Sequence, residues 1–391
     1  MAALVNAGLP DKLWDAIIDR CRPAAQVTRM EPEEAKRHVY EAYETLRACS
    51  LTCGSWLSAA RLSLYSAPIL MNHSSVQKFL ATMHSSPSLA AHVRSLVVIE
   101  GPAAEFIPFA RRELSRMLVN VRELTLAVNW GLYPSHYRSF VGSYAITKLC
   151  VHRFIAVDPL LRLVRALHRL EELQLEPPHG PDATHCATPP QVLRTTSSQD
   201  NTPSIRPSVL RTLTVGAVYA ARADFTPRLK ALGESVEELV VGWEPSISAE
   251  SLNALLEYIA NNHSLKKLVL SFQAPSPSTI TEYASSPEGW LQSASAWIIS
   301  VIQVTWQSHA QLNVICLRFS QRGDGRLKLP IFRDLIVQLL RTAVEEAPSG
   351  QQAFDRFPLE PPIVSETPEW WQAELRRPLP RPRVGNIELE L

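Results

Sequence analysis

The sequence predicts an α/β chain, in which an N-terminal helical unit is followed by an irregular leucine-rich-repeat solenoid of strand–helix repeats. Three observations carry this expectation. A six-residue pattern (apolar, two polar, apolar, any, apolar) returns after residue 90. Helix-start signals stand in several of the segments that join its copies. The first seventy residues lack the pattern and place their apolar residues at helical spacing instead.

The helical unit is assigned to residues 1–70. In LPDKLWDAIIDRC (9–21), Pro10 suits a first helical turn, where its missing N–H costs nothing. Leu13, Trp14, Ile17 and Ile18 then form one apolar stripe. Met30 to Tyr43 is polar and helix-prone, and Leu46, Cys49, Cys53, Trp56 and Leu57 continue at spacings of three and four, so a second stripe faces the first.

The repeats are assigned to residues 71–345. The pattern reads VRSLVV (93–98), VRELTL (121–126), ITKLCV (146–151), LEELQL (170–175), LRTLTV (210–215), VEELVV (236–241), LKKLVL (265–270) and LNVICL (312–317). Start-to-start steps are 28, 25, 24, 40, 26, 29 and 47 residues, most of them in or beside the range of leucine-rich repeats. The two long steps hold insertions at 176–208 and 273–289, rich in Pro, Ser and Thr. The first, Pro177 to Pro207, is expected to be a mobile surface segment, leaving strands 170–175 and 210–215 side by side. One repeat cannot close its own core, so stacking must bury the Leu/Val positions. Asp158-Pro159, Thr226-Pro227 and Ser248 each introduce a return helix. The competing reading is a set of unrelated buried strands in an ordinary α/β domain; eight copies, each followed by a helix or loop, favour the solenoid. The asparagine that usually follows the motif is missing from every unit. A last helix is expected at Ile331 to Glu345. Beyond it lies a proline-rich tail (346–391) with WWQAELRR (370–377) as a short docking helix and RRPLPRPR (376–383) as a solvated basic stretch.

Composition narrows the function classes. Apolar residues make up 46% of 391, enough for a sizeable core. Lys plus Arg (39) nearly cancels Asp plus Glu (38), which argues against nucleic acid or an anionic membrane as the main partner. Thirty prolines against 14 glycines predict stiff or disordered insertions rather than glycine linkers. Six scattered cysteines form no disulfide framework, so a reducing compartment, cytoplasmic or nuclear, is expected. No signal peptide is apparent, and the apolar stretch Trp297 to Trp306 is too short to span a bilayer.

No residue set argues for an enzyme. Cys49 and Cys53 share a helical face, but a metal site needs two more ligands that no nearby Cys or His supplies. A catalytic Cys53 or Cys150 with a distant histidine is the weaker alternative, because a reactive thiol needs an electropositive, partly exposed pocket. No dinucleotide turn, phosphate loop, HExxH helix or nucleophile elbow occurs. No metal and no cofactor are therefore expected.

LPDKLWDAIIDRC followed by LRACSLTCGSWLSAARLSLY (46–65) resembles the F-box-like motif common in fungal proteins. Leu9-Pro10 and the Cys53-x-x-Trp56 pair are its most specific elements, and SAPILMN (66–72) stands where such proteins often place a first strand. Lys12 and Gly54 depart from the pattern, and residues 22–45 insert about one helix. The resemblance implies a substrate-receptor subunit of a cullin–RING ubiquitin ligase. Leu9, Pro10, Leu13, Trp14, Ile17, Leu51 and Trp56 would then form or support the face for a Skp-type adaptor, while the repeats hold a target protein. The alternative is a repeat scaffold with no ligase role, its helices serving as an N-terminal cap.

The third and fifth motif positions point outward by strand alternation. The outward set is a mosaic with single scattered charges, suited to a protein rather than a nucleic acid. Val240, Val269, Val314 and Cys316 are the expected target contacts, because they would otherwise expose apolar surface.

Overall fold

The computed structural model describes residues 11–23, 27–28, 30, 32–99, 112–128, 141–152, 157–176, 210–220, 225–232, 235–243, 247–273, 296–298, 300–301, 304–305, 312, 314–320 and 387–390. The chain divides into two compact units. The first comprises Met1–Glu171 and Pro177–Ser208, the second Glu172–Glu176 and Val209–Leu391.

In the first unit, α1 (Asp11–Arg20) stops just before Pro23, whose ring cannot continue a helix. The polar stretch after it and the second apolar stripe are one helix, α2 (Pro32–Thr52). Cys53 then takes an extended conformation and breaks the chain into α3 (Gly54–Ser66). Ile18, Leu46 and Ala60, one from each helix, form a small shared core. Strand β1 (Ile69–Leu70) follows, and then α4 (His73–Ser85), whose start is fixed by a reciprocal capping box between Asn72 and Ser75. A short α5 (Pro87–Ala90) leads to β2 (Ser95–Ile99). Next come α6 (Arg112–Met117), β3 (Glu123–Ala127), β4 (Lys148–Val151) and the helix Val157–Ala166.

Strands β1 to β4 are parallel neighbours in chain order. Leu96 aligns with Leu124 and Leu124 with Leu149, so the fourth motif residue of each repeat stands on that of the next. Val93, Leu96 and Val98, with their counterparts Val121, Leu124 and Leu126, are fully buried. The first, fourth and sixth positions therefore build the core, as the alternation requires.

The second unit repeats the scheme. It holds β5 (Glu172–Leu175), β6 (Thr212–Val215), β7 (Glu238–Trp243), β8 (Lys267–Gln273), β9 (Val314–Ser320) and β10 (Ile387–Glu390), all parallel. Leu173, Leu213, Leu239, Leu268 and Ile315 align strand on strand. Both long steps in the sequence are thus bridged by directly paired strands. The helix Ala249–Asn261 starts at Ser248, whose hydroxyl accepts the Ser251 N–H. The segment Thr226–Leu232 is a 3-10 helix, not the expected α-helix; a seven-residue segment leaves room for little more than two tight turns. β10, within the proline-rich stretch, was not anticipated. The insertion 177–207, the helix at 331–345 and the motifs at 370–377 and 376–383 lie outside the described residues.

A polar ladder ties successive repeats together. Asn120 Nδ2 donates to the Ala91 carbonyl at 3.0 Å, and Thr147 Oγ1 to that of Arg122 at 3.4 Å. In the second unit Ser235 Oγ donates to the Leu210 carbonyl at 3.1 Å, and the buried Asn262 Nδ2 to that of Val236 at 3.1 Å. Each donor precedes its strand, and each acceptor lies just before the motif one repeat earlier or at its first or second position. The asparagine usual after a leucine-rich motif is absent, yet Asn120, Ser235 and Asn262, each standing before the motif, supply a side-chain hydrogen bond to a backbone carbonyl of the preceding repeat; the Arg122 carbonyl also accepts the Thr147 and Lys148 N–H groups.

Candidate functional site

The helical unit has an inner and an outer face, and the side chains sort between them. On the inner side Val27, Ala35 and Val39 pack with Ile69, Met71, Ile99 and Ala127, covering the C-terminal ends of β1 to β3. The Ile69 N–H donates to Tyr43 Oη at 2.9 Å, pinning α2 to the first strand. Burial pushes the Tyr43 phenol above its ordinary pKa, against a smaller lowering by that hydrogen bond. This phenol is therefore a neutral acceptor at physiological pH.

On the outer side, Leu13 is 48% exposed, Ile17 47% and Leu51 85%. Leu13 and Ile17 stand one turn apart on α1, with Leu51 near the end of α2. Trp14 and Trp56 are half-buried and stack on each other with ring centroids 4.7 Å apart. Their contact joins α1 to α3. Leu9 and Pro10 lie outside the described residues. Tyr40 and Leu62, which the sequence reading did not single out, are also exposed. Leu62 is the missed signal, an apolar residue on α3 two positions after the buried Ala60 and next to the exposed Arg61, where a polar residue would be expected on a solvated face.

The thiols of this unit differ. Cys49 is raised above its usual pKa, first by burial and then by the neighbouring Cys21. Cys53 is lowered, mainly by the Ser55 hydroxyl 3.1 Å away. Among the described residues, no group of three or more His, Cys, Asp or Glu side chains is placed to hold a metal ion.

The outward strand face requires a correction. Val240 is 6% exposed and Val269 is fully buried, and the two pack together. They are register partners on adjacent strands. The exposed apolar surface expected at these two positions is absent. Strand alternation tells which face a residue takes, but not whether that face is covered. Val314 and Cys316 take register opposite Lys267 and Val269, and their side chains lie outside the described set. Cys150 is buried on the same kind of position, with His152 Nε2 3.2 Å from its sulfur. The two are side by side but closed to solvent, which is the reverse of the exposed setting a nucleophile needs. Thr125, Gln174 and Thr214 remain half-exposed at the fifth motif position.

Charges across the strands pair off. Lys266 Nζ is 3.1 Å from Glu237 Oε1, and Lys267 Nζ is 3.4 Å from Glu238 Oε1. These are surface pairs that neutralise the face more than they stabilise it. A cleft of about 100 Å³ lies between the 3-10 helix and the helix Ala249–Asn261, lined by Thr226, Lys230, Glu257 and Tyr258 among others. It is small beside the pockets that enclose organic ligands.

No family model matches the chain, and no curated protein matches it. Among solved structures, the leucine-rich repeat-containing protein LegL7 from Legionella pneumophila is similar at 13% identity. The match covers 72% of this chain and 98% of that one, with a TM-score of 0.35. The repeat architecture described above rests on the register of the strands themselves. Among the described residues, no helix is long and apolar enough to cross a membrane.

Proposed function

We propose that the chain is a non-catalytic substrate receptor of a cullin–RING ubiquitin ligase, docking a Skp-type adaptor through α1 to α3 and a target protein through its leucine-rich repeats. The observation that carries this reading is the concentration of exposed large apolar side chains on the helical unit. Leu13, Ile17, Tyr40, Leu51 and Leu62 all belong to it, against Val119 alone from the repeats among the described residues. A small helical unit that leaves such residues in water fits a partner that covers them. Leu13, Ile17 and Leu51 also stand at motif positions of the F-box-like resemblance, with Trp14 and Trp56 in supporting roles. The intervening residues 22–45, which lengthen the motif, are used in α2 to cover strand ends, so they need not separate the outer residues. On the repeats, half-exposed Thr125, Gln174 and Thr214 suit a polar protein contact.

The second reading, a repeat scaffold whose helices are an N-terminal cap, is favoured by the inner face. Val39, Ile69 and Ile99 in one cluster are what a cap would bury. Co-purification of the full-length protein with a Skp-type adaptor separates the two. The receptor reading expects a stable complex that is lost on replacing Leu9 and Pro10 by alanine. Absence of any complex, where a known F-box protein forms one, leaves the scaffold.

A further inference from the structure

Cys21 lies just beyond the end of α1, one turn after Ile18, and Cys49 lies on α2, one turn after Leu46. Ile18 and Leu46 are fully buried against each other with Ala60, and both cysteines pack on that same cluster. Both thiols therefore lie at the rim of one small cluster that α1, α2 and α3 build together. Cys21 is the neighbouring side chain that, after burial, raises the Cys49 thiol above its ordinary range, and the Cys21 thiol donates to the Ile17 carbonyl at 3.5 Å. Both are free and half-buried. A hydrophobic core has no need of two sulfurs at its rim, whereas a cross-link there would join the end of α1 to α2.

We propose that Cys21 and Cys49 are an oxidation site, forming a reversible intramolecular disulfide when the protein meets a hydroperoxide. One thiolate attacks the peroxide oxygen, giving a sulfenic acid and releasing water or alcohol. The second thiol attacks that sulfur, the S–S bond forms, and the hydroxyl leaves as water. With hydrogen peroxide the balance is two thiols and one peroxide to one disulfide and two waters. A dithiol reductant reverses it. Burial and the neighbouring Cys21 raise the Cys49 thiol above its ordinary range, so attack by Cys49 becomes faster as pH rises. The bond would fix α1 against α2, the two helices that carry Leu13, Ile17 and Leu51. The site stands on the packing of the three helices and does not depend on the adaptor reading.

Reduced full-length protein is treated with hydrogen peroxide, its remaining thiols are alkylated, and tryptic peptides are read by mass spectrometry without reduction. Cleavage after Arg20 and Arg29 isolates Cys21, while Cys49 and Cys53 share the peptide Ala48 to Arg61. The expected product joins these two peptides and disappears with dithiothreitol. Because Cys53 is the more readily ionised competitor, the assignment is completed with Cys53→Ser, which should keep the cross-link, and Cys49→Ser, which should remove it. Recovery of Cys21 fully alkylated while other cysteines oxidise overturns the proposal, and so does a cross-link that persists in Cys49→Ser. The unmutated protein decides the first point even if a variant folds poorly.

Discussion

Single atoms decide several contacts that the repeat pattern does not mention. Removing the Tyr43 hydroxyl (Tyr43→Phe) leaves the Ile69 N–H without its acceptor. A loss of about 1–3 kcal/mol in unfolding free energy is expected, read by urea denaturation. Gly242 is a sharper case. A Cβ there would sit 2.4 Å from the Ala217 nitrogen and 3.0 Å from its Cα, both backbone atoms that cannot swing away. Gly242→Ala should therefore destabilise the protein by about 1–3 kcal/mol through overpacking, with a lower thermal midpoint as the readout; an unchanged midpoint would show that the short helix Ala217–Ala220 is free to shift. Val240 and Val269 belong to the same scale. Since both are buried, Val240→Asp places a charge among apolar atoms and should cost about 3 kcal/mol or more. Loss of target binding in that variant would report unfolding rather than a contact.

At the scale of elements, the strands were legible and their surroundings less so. Leu or Val at the first, fourth and sixth motif positions fixes the inward face, and the register of Leu173, Leu213, Leu239 and Leu268 follows from it. The pairing of β5 with β6 was readable because a segment so poor in apolar residues cannot interpose a strand. Other features left no periodic trace. Hydrophobic spacing alone could not show that the polar stretch Met30–Tyr43 and the stripe after it fuse into α2, since both halves are simply helical. The burial of Val240 and Val269 depends on what covers a sheet face, which is a tertiary matter. The polar ladder was readable in part, because Asn120, Thr147, Ser235 and Asn262 each stand one to five residues before a strand, although none of them takes the place after the motif where an asparagine is usual. Asn262 is the informative rung, being buried and donating to Val236. Asn262→Ala should cost about 1–3 kcal/mol by leaving that carbonyl bare. Hydrogen exchange should show the loss concentrated in β7 and β8 if the rung acts locally, and a uniform increase would argue against a repeat-by-repeat role.

At the scale of the whole molecule, the question is whether the helical unit serves the repeats, a partner, or both. Its two faces allow a separation, because the residues involved do not overlap. Val39 packs on Ile69 and Ile99 and is buried, so Val39→Asp should lower stability and, with it, any partner binding. Leu13 and Ile17 are half out in water and bury little that folding needs. Replacing both by glutamate should leave the thermal midpoint within about 2 °C, since exposed substitutions away from caps and cores change stability by only a few tenths of a kcal/mol. If the receptor reading holds, that double variant loses the Skp-type adaptor in a pull-down while still melting like the parent chain. A cap with no partner predicts the same melting curve and no adaptor bound by either protein. An adaptor complex that survives the double substitution would place the contact elsewhere on the helices, and would remove α1 from the docking face.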